Sequence, residues 1–168
     1  MPFLTPPSQS YKRSFIQAVH EFHDEGRYTH FEVAWLQLHF DDFLQQMRER
    51  LEQPDENHVP ETVLWLVEGD KFIGRVSIRH RLTPDLEQVG GNIGYEIRPS
   101  QRRRGYGKMI LALALEKARL LGLSRVLVTC DDDNVGSAKI IEANGGQLQD
   151  TIEVLGNRAK VRRYWITL

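Results

Sequence analysis

Apolar residues fall at helical spacing early in the chain and at strand spacing later. Phe15, Ile16, Val19 and Phe22 recur on one face over Tyr11 to Gly26, with Ser10 placed to cap the start and Gly26 to end the helix. Trp35, Leu36, Leu38, Phe43, Leu44, Met47 and Leu51 predict a second helical region, which Pro54 stops. Two apolar runs follow, Val63 to Val67 and Phe72 to Ile78, on either side of Glu68-Gly69-Asp70-Lys71. That pattern predicts an antiparallel hairpin around a glycine turn. Residues 81 to 90 carry no period and are expected to form a loop.

From Asn92 onward the order becomes strand, helix, strand, helix, strand, strand. Asn92 to Ile97 is the first of these strands. Gly107 to Leu121 places Leu111, Ala114, Leu115, Ala118 and Leu121 along one stripe and Ile110 and Leu113 on the other side, which predicts a well-buried helix. Arg125 to Cys130 reads as a short strand and Val135 to Ala143 as a short helix. The chain closes with Ile152 to Leu155 and Val161 to Ile166, a second hairpin around Gly156-Asn157-Arg158. The predicted class is α/β, a mixed sheet with helices on both faces, which excludes a sandwich or a bundle.

The 168 residues suffice for one domain, residues 1–168, and no repeat or Gly/Ser-rich linker divides them. Cys130 is the single cysteine, so the chain cannot form an internal disulfide. No apolar run approaches the roughly 20 residues of a membrane helix. Met1 to Pro7 has neither the charged start nor the apolar stretch of a signal peptide, so a cytoplasmic location is expected. The balance of 22 basic against 23 acidic residues, a net charge of -1, argues against a nucleic-acid binder. Distribution says more than the total. Arg98 to Lys108 holds five basic residues and no acidic one, whereas Asp131, Asp132 and Asp133 form an acidic run. One small anionic ligand suits this pattern better than a polymer. His20, His23 and Asp24 share a helix at a spacing that could hold a metal, but all six histidines fall in the first half of the chain without completing a convincing ligand pattern, and no metal site is expected.

The chemistry concentrates in Arg98-Pro99-Ser100-Gln101-Arg102-Arg103-Arg104-Gly105-Tyr106-Gly107, between a strand and a buried helix. Glycines at 105 and 107 lack the Cβ atoms that would hold a ligand off the backbone, and the free N–H groups of the first helical turn point at whatever lies there. The helix dipole adds about half a positive charge, so a phosphate or pyrophosphate is stabilised. A bare turn beside solvated arginines is the bland alternative. It leaves unexplained why a basic run, paired glycines and a helix start coincide. A dinucleotide-binding loop fails because Ile110 stands where the third glycine belongs. A P-loop fails for want of its Gly-Lys-Ser/Thr ending.

Here the chain resembles the GNAT superfamily of acyl-CoA-dependent N-acyltransferases. Arg102-Arg103-Arg104-Gly105-Tyr106-Gly107 is similar to the family's Arg/Gln-x-x-Gly-x-Gly/Ala motif, which wraps the coenzyme A pyrophosphate, and Gly94-Tyr95-Glu96-Ile97-Arg98-Pro99 looks like the strand leading into it. A second match runs from Asp133-Asn134-Val135-Gly136-Ser137-Ala138 through Ile141 to Gly146. The resemblance implies a mostly antiparallel, splayed central sheet with helices on both faces, in which the strand of Glu96 diverges from that of Val128 to admit the pantetheine arm. It implies acetyl-CoA as the acyl donor, and coenzyme contacts from Ile97, Arg98, Arg102, Arg103, Arg104, Gly105, Tyr106, Gly107, Lys108, Asn134 and Ser137. Backbone polarity at Ile97 would stabilise the developing oxyanion.

Acyl transfer to an amine also needs a proton acceptor. A lysine-like amine is neutral in only about one molecule per few thousand at pH 7. Glu96 is the candidate base, because alternation turns it to the face opposite Tyr95 and Ile97, beside Gly94. The competing role is a surface glutamate paired with an arginine. Where many members carry a proton-donating Tyr, this chain has Ile141. A coenzyme thiol of pKa about 8.5 leaves tolerably without help; Ser137, a water and, remotely, Tyr164 are the possible donors. The missing Tyr keeps open a non-catalytic acyl-CoA-binding or sensing module, and a nucleotide-binding protein is the remaining alternative. Trp35, Phe40, Phe43 and His80 are candidates for an acceptor pocket, although each suits core packing. Cys130 is expected to be a buried small residue, and Lys160, Arg162 and Arg163 a solvated strand face. The partner is a small-molecule or peptide amine: a polyamine, an antibiotic amine, an amino acid and a protein N-terminus all stay open. Exposed strand edges leave room for a homodimer.

Overall fold

The computed structural model describes residues 1–168. A short strand β1 (Phe3–Thr5) precedes three helices, α1 (Lys12–Asp24), α2 (Val33–Leu38) and α3 (Phe40–Glu52). The strands β2 (Glu61–Glu68) and β3 (Lys71–Arg79) form the expected hairpin, and Gly69 supplies the left-handed residue of its turn at φ 59°. Then come α4 (Pro84–Gln88), β4 (Ile93–Ile97), α5 (Tyr106–Leu120), β5 (Arg125–Asp131), α6 (Val135–Ala143), β6 (Gln147–Ile152) and β7 (Val161–Thr167).

Several expectations are corrected. Ser10 does not cap α1; it lies in a 3-10 turn, where its own N–H donates to the Ser8 hydroxyl. The second helical region is two helices, because His39 leaves helical geometry at φ -127°, ψ 36°. Within residues 81 to 90 a short helix forms, started by Pro84 and capped by the Thr83 hydroxyl. The penultimate strand ends at Ile152, where the sequence pattern had it begin. β6 is a polar, mostly exposed edge, so no buried face wrote an alternation into its sequence. The three-residue β1 is too short to carry a period at all.

The strands form two antiparallel sheets, ordered β1-β2-β3-β4 and β5-β7-β6. The first is covered on both faces, which explains why β2 is apolar without alternation. Leu64 and Leu66 pack under α5 and α6 with Ile73, Val76, Val126, Val128 and Tyr164, while Trp65, Val67 and Phe72 pack under α1 and α3 with Phe15, Phe22 and Phe43. Phe15 stacks on Trp65 with ring centres 4.6 Å apart.

Between β4 and β5 no ladder forms. The sheets are joined at one end only, by Gly91 and Asn92. Asn92 donates its backbone N–H to Leu127 O (2.8 Å), accepts the Leu127 N–H at Oδ1 (2.8 Å), and donates from Nδ2 to Arg79 O (3.1 Å). Gly91, at φ 57°, comes so close that a Cβ would sit 2.3 Å from Leu127 O. Past this joint the two strands separate.

Candidate active site

The ladder between β3 and β4 decides which backbone groups of β4 face the gap. Arg79 N–H donates to Asn92 O and Arg98 N–H to Ile73 O, so the even-numbered residues of β4 bond to β3. By alternation the backbone groups of Tyr95 and Ile97 turn toward β5, and the Glu96 side chain lies on the face opposite theirs. At the same end of the gap α5 begins. Arg103 (φ 63°) and Gly105 (φ 83°) are both left-handed, and no side chain caps the helix. Its first internal bond is Met109 N–H to Gly105 O, leaving the N–H groups of Tyr106, Gly107 and Lys108 without acceptors inside the helix. The concave backbone and the dipole together make an anion cradle.

The two glycines act differently from the sequence expectation. A Cβ on Gly105 would meet nothing, so this residue is needed for its φ. On Gly107 a Cβ would lie 2.5 Å from Ile140 Cδ1; the glycine lets α5 approach α6.

A cleft of about 510 Å³ opens here, lined by Glu25, Arg27, Tyr95, Glu96, Ile97, Arg102, Arg103, Gly107, Asn134, Gly136, Ser137 and Ile140. It gathers seven of the expected site residues. Arg104, Gly105 and Lys108 are exposed at the start of α5, and Arg103, Arg104 and Lys108 enter no ion pair. Arg102 is partly engaged: its Nε donates to Ile97 O (3.2 Å) and its two terminal nitrogens clasp Glu25 at 2.7 and 3.0 Å. Asn134 caps α6 by accepting the Ser137 N–H (3.0 Å). Of the preceding acidic run, Asp132 pairs with Arg162 and Asp131 accepts from Asn157.

Two expected coenzyme contacts turn elsewhere. Arg98 points into the junction with α1, donating to Glu21 Oε1 (2.8 Å) and Ser14 Oγ (3.0 Å). Burial raises the Glu21 pKa, but Arg98 and the Ser100 N–H outweigh it and hold the carboxyl below its ordinary value. This clamp ties the exit of β4 to α1. Tyr106 directs its hydroxyl to Glu68 (3.4 Å). Arg163 pairs with Asp150, so the last strand carries ion pairs rather than free solvated charges.

Glu96 sits where the cleft meets the α1 side. Arg27 forms an ion pair with it and the Tyr28 hydroxyl donates to its other oxygen, yet 28% of the side chain stays exposed. Tyr28 is held left-handed at φ 56°, unusual for a side chain of this size. Burial, then the neighbouring Glu96, pushes its phenol well above the ordinary range. Tyr95 lies across the cleft, 3.1 Å from the Ser137 hydroxyl, with its phenol pushed up to about 12 by burial. Arg27, Tyr28, Asn92 and Tyr95 are absent from the sequence-derived site. Tyr95 adjoins Glu96 in the motif strand, and Gly90-Gly91-Asn92 carried the mark of a close backbone approach. Arg27 and Tyr28 had no signal, being almost 70 residues from the carboxylate they hold.

Tyr164 is fully buried and donates to Glu142 (3.1 Å), which removes it as a proton donor. Ile141 is likewise in the core. Cys130 is buried, and burial raises its thiol pKa.

A second cavity, of about 380 Å³, lies between the N-terminal helices and the first sheet, lined by Phe15, Tyr28, His30, Phe31, Phe43, Gln46, Met47, Arg50, Trp65 and Arg75. Of the aromatics expected in an acceptor pocket only Phe43 lines it. Trp35 stacks on His39, Phe40 is core, and His80 bonds Thr62.

An uncapped helix start thus lies beside a split sheet, at one end of an open cleft. Residues 9–147 match the model of the acetyltransferase (GNAT) domain, and the chain belongs to that family. Solved structures agree on the fold. RimJ of Mycobacterium smegmatis in complex with CoA-disulfide superposes with a TM-score of 0.70 at 15% identity, covering 99% of this chain and 81% of that one. The microcin self-immunity acetyltransferase MccE with acetyl-CoA and AMP gives 0.68 at 16% identity, over 99% and 92%. An acetyltransferase of Salmonella typhimurium that modifies the N-terminal serine of a ribosomal protein gives 0.67 at 16%, over 99% and 95%. No curated protein matches the chain in sequence.

Proposed function

We propose that residues 1–168 form one N-acetyltransferase domain that transfers acetyl from acetyl-CoA directly to an amine held in the same ternary complex. The observation that carries this is the uncapped start of α5, opening on a cleft between two strands that share no ladder. The donor fits what is there. The free N–H groups of Tyr106, Gly107 and Lys108 suit a diphosphate, and Arg103, Arg104 and Lys108 supply charge that no protein carboxylate neutralises. The Tyr95 and Ile97 backbone suits an extended amide-bearing arm, and Asn134 and Ser137 line its far side.

Glu96 accepts a proton from the attacking amine, directly or through a water. The C–N bond forms as the C–S bond breaks, the electron pair leaves on sulfur, and the Ile97 N–H faces the oxygen that gains charge. Tyr95 meets the thiolate. With the phenol at about 12 and a thiol at about 8.5, complete proton transfer would run uphill by about 5 kcal/mol. Tyr95 therefore stabilises the leaving sulfur by donating a hydrogen bond, with Ser137 as its relay. A donor in the cleft removes the main reason, Ile141, for favouring a non-catalytic sensor. No helix is long and apolar enough to cross a membrane, and the lone buried thiol suits a reducing cytoplasm.

Calorimetry with acetyl-CoA, joined to a thiol-release assay over a panel of amines, tests the assignment. Saturable binding and amine-dependent release are expected. Absence of heat at millimolar acetyl-CoA would refute it, and binding without release to any amine would favour the sensor. Gly107→Ala gives a second check. Its Cβ displaces the Ile140 side chain, which lines the cleft, so the acetyl-CoA Kd is expected to rise roughly tenfold for a stability loss of about 1–2 kcal/mol; an unchanged Kd in the same titration would place Ile140 outside the coenzyme path.

A further inference from the structure

The register of the first sheet sets three chemically different side chains in one row. Trp65 pairs with Arg75 across β2 and β3, and Arg75 pairs with Glu96 across β3 and β4. Directly opposite residues project to the same face, here the face covered by α1 and α3. The backbones of Trp65, Arg75 and Glu96 thus stand one strand spacing apart, about 5 Å each, with the three side chains on the same face. Glu96 belongs to the cleft, Trp65 and Arg75 to the aromatic cavity, and Tyr28 joins the two, since it lines that cavity while its hydroxyl holds Glu96.

Arg75 is the unexplained member of the row. It is half-buried, yet its guanidinium enters no ion pair and makes no hydrogen bond within the chain, whereas Arg98, Arg102, Arg162 and Arg163 all have carboxylate partners. A partly desolvated guanidinium among Phe15, Phe31 and Trp65 calls for an anion. The Trp65 Nε1–H, also in the cavity's framework, is the one buried side-chain polar atom without a hydrogen-bond partner. No Asp or Glu lines the cavity, and Arg50 adds a second positive charge. Its size, about 380 Å³, is near the lower end for ligand pockets, roughly 300–1,000 Å³.

Resting on the transferase assignment above, we propose that the acceptor is a free α-amino acid with an apolar or aromatic side chain. Its amine meets Glu96, its carboxylate pairs with Arg75, and its side chain enters the cavity walled by Phe15, Phe31, Phe43 and Met47. The spacing matches: amine and carboxylate are neighbours on one carbon, as Glu96 and Arg75 are neighbours in one row. A polyamine would bring positive charge to two arginines and find no carboxylate in the cavity. A peptide N-terminus would present Arg75 with a neutral carbonyl in place of a carboxylate.

The test compares phenylalanine, leucine and tyrosine with their amides and with spermidine, under acetyl-CoA, by thiol release. The free acids are expected to exceed their amides roughly ten- to hundredfold in kcat/KM, the usual gain of a charge-assisted hydrogen bond. Arg75→Gln should raise KM for the acids by a similar factor, leave the amides within about threefold, and leave the calorimetric Kd of acetyl-CoA unchanged. Calorimetry of N-acetylphenylalanine, which needs no coenzyme, should show the same loss on Arg75→Gln. Equal or better turnover of amides or spermidine overturns the acceptor assignment. So does acetylation of other amines but of no apolar amino acid; in both cases the transferase assignment stands. Failure of acetyl-CoA to bind, or binding without release to any amine, would remove the latter, and the product titration would still judge the pocket.

Discussion

Glu96→Gln is expected to lower kcat/KM for amine acetylation by about 10²–10⁴-fold while leaving acetyl-CoA affinity within about threefold. The exchange keeps the size of the side chain and a carbonyl that can still accept from Tyr28. It removes the negative charge, and with it both the ion pair to Arg27 and the capacity to take a proton from the amine. The ion pair is half-exposed, so its loss should cost little stability, under about 1 kcal/mol. Steady-state rates, thermal unfolding and coenzyme calorimetry on the same preparation separate these effects. A variant with unaltered turnover would make Glu96 a strut for Arg27 and Tyr28, and the base would have to be sought elsewhere in the cleft.

The largest effect on stability is expected from Asn92→Ala. Asn92 is buried, and its side chain satisfies one donor and one acceptor at the joint between the sheets, the Leu127 N–H and the Arg79 carbonyl. Alanine leaves both without that partner. At about 1–3 kcal/mol for each buried polar group left unsatisfied, the loss is roughly 2–5 kcal/mol, or about 5–15 °C in Tm for a domain of this size. The joint also sets where β4 and β5 begin to separate, so acetyl-CoA affinity should fall with it. A Tm shift below about 2 °C in a thermal melt would mean that the two sheets are held together by the shared core under α5 alone.

The motif strand and the helix behind it could be read without a structure because their chemistry is local. Arg102 to Gly107 needs only a helix start and left-handed freedom at Gly105, and neighbouring residues specify both. Core helices and the β2–β3 hairpin wrote their burial as periods of apolar residues. Where burial was one-sided or missing, the pattern failed, as in the polar edge β6 and the three-residue β1. The break at His39 was missed because apolar spacing continued through it. Within the site, Arg98 counted as a coenzyme contact by its place in the motif. Folding instead brings Glu21 and Ser14 against it, from 77 and 84 residues away.

Order along the chain was therefore enough for the family, the anion cradle and the direction of Glu96, since each depends on residues a few positions apart and on the two-residue alternation of a strand. Only the folded molecule put Arg27 and Tyr28 on that carboxylate, Tyr95 against Ser137, and Trp65, Arg75 and Glu96 in one row. These contacts join segments tens of residues apart, and strand register, a property of pairs of strands and of no single one, decides which of them meet.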